Sequence, residues 1–180
     1  MLSLATTDDV PDIAALAEVR RAEYETAQPQ FWRRATDAVE QHLPWLTAQI
    51  QNADVVSLVA RSGDSLDGYV FASIVAAPPV YDPGGPTGLV DDFAVADPSL
   101  WATVGRQLLD EAKRRLADRG VAQVVVVCGH HDDVKRARTD LSPRLSRYYA
   151  PLRTPYLPRP APSAAAPRPD YRRACSDDSR

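Results

Sequence analysis

Two adjacent carboxylates open the segment Asp91-Asp92-Phe93-Ala94-Val95. A carboxylate at the edge of an apolar strand is suited to take a proton from an attacking nucleophile such as an amine. Successive side chains on a strand alternate between its faces, so Asp91 and Asp92 are expected on opposite sides of the sheet. One would then line a cleft while the other meets solvent or an arginine. Further on, Gly105 stands near the start of a helical pattern. A helix N-terminus carries unpaired N–H groups and a partial positive charge, so a loop running into it can seat a phosphate. A bulky residue at Gly105 is expected to crowd those N–H groups. Strand, loop and helix with one glycine also occur in domains that bind nothing there.

His130, His131, Asp132 and Asp133 form a second chemical cluster. Adjacent residues seldom converge on one ion, and His42 is the only other histidine, so no metal is expected. The favoured reading is an Asp capping the helix that follows a glycine turn. Cys128 ends an apolar run and reads as packing rather than as a nucleophile. With Cys175 it makes neither a disulfide framework nor a zinc pattern, and a reducing cytoplasm is expected. The first ten residues lack a basic stretch followed by an apolar run, so no leader is expected. No apolar run is long enough to span a bilayer, so no membrane partner is expected. A net charge of −3 gives no reason to expect nucleic acid.

These groups need a scaffold. "LSLAT" reads as a short strand. A helix follows over "TTDDVPDIAALAEVRRAEYE", capped by Thr7 or Asp8, with Ile13, Leu16 and Val19 at helical spacing. "PQFWRRATDAVEQHLPWLTAQIQ" gives one or two helices, interrupted near Pro44. "DVVSLVARSG" and "LDGYVFASIVAAPP" are strands joined by a small turn, a hairpin candidate. "VYDPGGPT" is a loop and "GLVDDFAVAD" a third strand. Leu108, Leu109, Ala112 and Leu116 share one face of a helix that Gly120 ends. "AQVVVVCG" is apolar on both faces and reads as a buried strand. The helix between the last two strands is a crossover and favours parallel pairing there, while short links favour antiparallel pairing earlier. The fold class is therefore α/β with a mixed sheet.

Charge divides the chain. Residues 1–132 carry a net −9 and residues 133–180 a net +6, and half of the 16 prolines lie between Pro143 and Pro169. A domain over 1–140 and a disordered Pro- and Arg-rich tail over 141–180 are expected.

With these elements in this order, residues 2–131 resemble the GCN5-related N-acetyltransferase family. Its pattern is an acidic pair, an apolar residue, any residue and Val. Arg or Gln, two residues, Gly, any residue, and Gly or Ala follow, and then a helix with two leucines. Asp91–Val95 matches the strand, Gly105 the last glycine and Leu108-Leu109 the leucine pair, without a gap. Leu100 stands where Arg or Gln is usual, and Thr103 where the first glycine is usual. The resemblance implies acetyl-CoA as co-substrate, lying along Phe93, Ala94, Val95 and Ala96. Its pyrophosphate would meet Trp101, Ala102, Thr103, Val104, Gly105 and Arg106. It also implies that the strand of Phe93–Ala96 splays from the next, and that the first acid of the pair, Asp91, is the base. The acceptor would be a primary amine on a small molecule or peptide. Tyr81, Asp82, Tyr24 and Trp32 are candidate contacts, although core or lid packing is the favoured reading of the aromatics. The family's usual acid, a Tyr after the fifth strand, has no counterpart in "HHDDVKRARTDL". These departures keep open a degenerate domain that binds CoA or a partner without catalysis. Family members continue with a helix and two strands, which this chain does not clearly supply. A sheet of fewer than seven strands is expected, its last edge covered by a second copy in a homodimer or by the tail, or left exposed in a weakened domain.

Overall fold

The computed structural model describes residues 1–77, 79–129, 132–138 and 149–151. Its centre is a six-stranded sheet in sequence order, β1 (Leu2–Leu4), β2 (Val55–Ser62), β3 (Ser65–Val75), β4 (Thr87–Val95), β5 (Gln123–Val126) and β6 (Tyr149–Pro151). Neighbours are antiparallel except β4 and β5, which are parallel. That exception follows from the crossover helix α3 (Val104–Asp118). The β2–β3 turn is two residues long, and Gly63 occupies it at φ 59°, the left-handed conformation such turns favour.

Helices cover both faces. On one side α3 lays Leu108, Leu109, Ala112 and Leu116 against Val56, Leu58, Val70, Val90, Phe93 and Val95. On the other, α1 (Val10–Ala27) and α2 (Ala38–Gln51) pack Ile13, Ala17 and Leu46 onto Val55, Val59, Tyr69, Phe71 and Ala94. A short 3₁₀ turn, Thr7–Asp9, opens this second layer: Asp9 accepts from the N–H and hydroxyl of Thr6, so Thr6 caps the turn and Asp9, rather than Thr7 or Asp8, stands at the N-cap of α1. The inward stripe of α1 is Val10, Ile13, Ala14 and Ala17, whereas Val19 is 56% exposed, contrary to its expected place in the core. One turn further on, the same helix presents Arg20, Arg21 and Tyr24. The apolar stripe turns polar where it passes Asp91 and Asp92.

Helix α2 was expected to break near Pro44, yet it runs through it. Proline removes one backbone donor and costs roughly 3 kcal/mol inside a helix. Leu46 is fully buried and Ile50 packs beside it on the sheet, and this anchorage offsets the loss.

The sheet also takes a strand from beyond the expected boundary at residue 140. Tyr149–Pro151 pairs antiparallel with β5, Val124 opposite Ala150. Of the three alternatives for that edge, the structure has it covered at this point by the chain's own later segment. The remainder of the expected tail, residues 141–148 and 152–180, lies outside the described residues. Among the described residues no helix is long and apolar enough to cross a membrane.

Candidate active site

The centre of the site is an irregularity in β4. Phe71 of β3 pairs with Asp92, but the next residue, Ala72, pairs with Val90. Asp91 is the extra residue of a β-bulge, which bends a strand and re-aims its side chains. Strict alternation fails here. Val90, Phe93 and Val95 all join the α3-side core, and Ala94 joins the α1–α2 side. Asp91 and Asp92 do not take opposite sides as expected; both line one crevice with Ala17, Arg20, Arg21, Tyr24, Tyr69 and Lys135.

The bulge has a second effect. β5 follows β4 only as far as Val90, whose carbonyl accepts from the Val127 N–H at 2.8 Å. Beyond that point β4 runs on to Val95 without β5 beside it. The Phe93 carbonyl, freed from the ladder, accepts instead from the Lys135 ammonium at 3.1 Å. Lys135 is 2% exposed and lies over the rings of Phe93 (5.3 Å) and Trp101 (5.7 Å). It sits on α4 (Asp133–Arg138), whose start Asp132 caps by accepting from the Lys135 N–H at 3.2 Å. An Asp cap was expected at this turn. His130 and His131 lie outside the described residues.

The two carboxylates differ in engagement. Asp92 accepts from the Tyr69 hydroxyl at 2.6 Å and stands 3.6 Å from His42 Nε2. Arg21 donates to His42 Nδ1 at 2.8 Å, which leaves the ring proton on Nε2, toward Asp92. Asp91 has no side-chain hydrogen-bond partner among the described residues. It is exposed by area, yet protein lies close around the carboxyl. Desolvation raises its pKa, and the Asp92 charge adds to that, against backbone N–H groups and Lys135, which lower it. Burial first, and then the Asp132 charge, push the Tyr24 hydroxyl up to about 12. Tyr24 donates to Asp132 at 3.2 Å, and Arg20 holds the same carboxylate at 2.9 Å.

Between β4 and α3 the chain forms a short 3₁₀ turn, Pro98–Ala102. Its donors are largely used: Ser99 N–H on the Asp97 carboxylate, Leu100 N–H on the Asp97 carbonyl and Thr103 N–H on the Leu100 carbonyl. The first backbone bond of α3 comes from Gln107 to Thr103 at 3.0 Å, so the N–H groups of Val104, Gly105 and Arg106 precede it. Thr103 has φ −115°, a conformation that needs no glycine.

No family model and no curated protein matches this sequence. Solved structures do match. A GCN5-related N-acetyltransferase from Ralstonia eutropha is 19% identical, with 81% of this chain and 94% of that one covered at a TM-score of 0.58. A predicted acetyltransferase from Clostridium acetobutylicum, solved with acetyl-CoA, is 12% identical and covers 76% and 86% at 0.61. A ribosomal-protein-alanine N-acetyltransferase from Brucella melitensis is 19% identical and covers 88% and 99% at 0.55.

The fold is that of the GCN5-related N-acetyltransferases.

Within this acetyltransferase fold the expected cofactor residues divide by exposure. Ala96, Ala102, Thr103 and Arg106 are at the surface. The Ala96 N–H is already used on the Asp67 carbonyl at 2.8 Å. Phe93, Ala94, Val95 and Trp101 put their side chains into the core. Trp101 was expected against a ligand; it is 1% exposed and meets Phe93 edge to face at 4.8 Å. A Cβ on Gly105 would lie 2.6 Å from the Trp101 ring, so this glycine makes room for the indole. Of the candidate acceptor contacts, Tyr24 lines the crevice and Trp32 packs on it at 5.2 Å. Tyr81 and Asp82 sit on an exposed loop and do not line it.

Lys135, His42, Arg20 and Arg21 were not singled out from the sequence. Arg20, Arg21 and Tyr24 had a signal, the turn-by-turn continuation of the α1 inward stripe. Lys135 had none, because a lysine in "DDVKRAR" reads as a solvated helix face.

Proposed function

We propose that the protein transfers the acetyl group of acetyl-CoA to a primary amine, with Asp91 as the base. The observation that carries this reading is the bulge at Asp91. It turns both carboxylates into one crevice at the point where β4 leaves β5. The acetyltransferase fold supports the reading, as does the Clostridium structure solved with acetyl-CoA.

The residues present fit this co-substrate. β4 beyond Val90 has no β5 beside it, Lys135 of α4 takes its Phe93 carbonyl, and the first N–H groups of α3 have no backbone acceptor among the described residues and suit an anion. Val104, Gly105 and Arg106 would hold the pyrophosphate through their N–H groups, with Thr103 and Ala102 beside it. Acetyl-CoA supplies an activated acyl group. Asp91, unengaged by other side chains, takes a proton from the amine as it attacks. Asp92, held by Tyr69 and His42, supplies a second carboxylate that orients a cationic amine before it is deprotonated. Arg20 and Tyr24 fix the crevice wall through Asp132.

Release of free thiol from acetyl-CoA over a panel of small amines, lysine peptides and peptide N-termini tests this function. Turnover on at least one acceptor is expected. Tight acetyl-CoA binding with no turnover on any would favour the non-catalytic alternative. Thr103→Glu tests the phosphate seat. A carboxylate at the mouth of α3 repels the pyrophosphate, and CoA affinity by calorimetry should fall about tenfold, near 1.4 kcal/mol. Undiminished affinity would move the seat elsewhere.

A further inference from the structure

The crevice that holds Asp91 and Asp92 is narrow, about 80 Å³, and Ala17, Arg20, Arg21, Tyr24, Tyr69 and Lys135 wall it. An engineered apolar cavity of about 150 Å³ takes a benzene ring. The crevice has about half that room, so it admits an ammonium on a slender carbon and rejects a ring or a branched carbon. Its walls resist widening, because Arg20 and Tyr24 are both fixed on Asp132 and the buried Tyr69 holds Asp92. The cations that line it are all engaged. Arg20 holds Glu23 and Asp132, Arg21 holds Glu18 and donates to His42, and Lys135 holds the Phe93 carbonyl. A carboxylate on the acceptor would meet Asp91 and Asp92 with no unengaged cation among the lining residues, which disfavours a free α-amino acid. Outside the crevice the surface is aromatic. Trp32 packs on Tyr24 at 5.2 Å, and Phe31 meets Trp32 edge to face at 4.8 Å. Phe31 is 72% exposed, so this ladder of rings runs from the crevice to solvent. On the Asp92 side, the exposed Trp45 stacks on His42 at 5.4 Å. Exposed apolar side chains grouped within a charged rim mark a binding surface.

We propose that the acceptor is an unbranched primary amine on an apolar body, with its ammonium at Asp91 and Asp92 and its body on Trp32 and Phe31. The inference rests on the acetyltransferase reading above and deepens it by naming the acceptor class. Tyr24 and Ala17 set the width of the entry, so the carbon that bears the nitrogen must be a methylene. A peptide N-terminus is branched at that carbon and does not fit. Trp32 and Phe31 are the specificity-determining side chains. They offer ring faces and edges and no carboxylate, so an apolar body is favoured over a second ammonium.

The experiment compares matched amines. The probes are phenylpropylamine with the nitrogen at the chain end, the same compound with a methyl group on the carbon that bears the nitrogen, the diamine in which a second ammonium replaces the ring, and ethylamine. Affinity is read by calorimetry on full-length protein saturated with CoA, and kcat/KM by thiol release from acetyl-CoA. The linear phenylpropylamine should bind and turn over about tenfold better or more than its methyl-branched counterpart, the discrimination that one added carbon brings in a close-fitting pocket. It should exceed the diamine by a similar factor. Trp32→Ala should cut the preference for phenylpropylamine over ethylamine about tenfold, and Phe31→Ala about threefold. Phe31 is exposed, so its removal leaves the fold intact and carries the test if Trp32→Ala does not fold. Equal kcat/KM for the linear and branched amines overturns the inference. So does better turnover of the diamine or of a peptide N-terminus, or an unchanged preference in both folded variants. Each of these results includes turnover, so each leaves the acetyltransferase reading standing. Thiol release with no amine at all removes that reading and this inference together.

Discussion

Replacing Asp91 by Asn lowers turnover with a primary amine by about 10²-fold at neutral pH, the usual contribution of a positioned base. Asparagine keeps the size of the side chain and the bulge but cannot take a proton. The pH profile carries a second signature. A base works deprotonated, and the pKa of Asp91 is raised. The wild-type rate should therefore climb with pH through that raised pKa, and the variant should lose this limb. The stability sign runs the opposite way. An acid whose folded pKa is raised binds more protons folded than unfolded in the window between the two values. Its contribution is fully present below the unfolded pKa and is lost as pH rises through the folded one. Asp91→Asn is thus expected to fold at least as well as wild type at neutral pH, and lost activity cannot be charged to unfolding. Asp92→Asn should cost less, because an amide oxygen still accepts from Tyr69 and the bulge is unchanged. Initial rates of thiol release from pH 5 to pH 9 decide the matter. Equal rates for wild type and Asp91→Asn would remove this carboxylate from the chemistry.

Trp101→Ala should cost about 3–5 kcal/mol of folding stability, the range for deleting a buried large aromatic. Domains of this kind are stable by only about 5–15 kcal/mol, so the loss takes a large share. Trp101 ties three elements together. Its ring meets Phe93 on β4, covers Gly105 at the start of α3 and lies under the Lys135 ammonium from α4. The readout is the urea midpoint at unchanged slope. A loss under about 1 kcal/mol would mean the surrounding side chains close over the cavity. The same geometry revises what a bulky residue at Gly105 reports. Gly105→Trp was expected to crowd the phosphate seat. With a Cβ already 2.6 Å from the indole, it first breaks the core, so it reads packing rather than binding.

The element order, the hairpin, the parallel crossover and the core face of α3 were legible in the sequence, because each rests on a local period or a local turn. Leu108, Leu109, Ala112 and Leu116 repeat at helical spacing, and Gly63 and Gly120 mark chain reversals at positive φ. The carboxylate pair and Gly105 were likewise visible as residue types at a fixed spacing. Their surroundings were not. Whether Asp91 and Asp92 share a face depends on the pairing of β4 with β3, and a bulge is a property of two strands. Lys135 looks like a surface lysine in its own helix. It becomes a buried ammonium only because β5 stops pairing at Val90, leaves the Phe93 carbonyl unpartnered and lets α4 pack over the opening. Pro44 reads as a helix breaker until Leu46 is anchored on the sheet. Apart from β6 and the unbroken α2, the helices and strands, and the residues able to carry a proton or a phosphate, could be read directly, since they follow from side-chain chemistry and periods of two and 3.6. Which of those groups meet was not readable in this way, because strand register and burial arise from contacts between residues far apart in the chain.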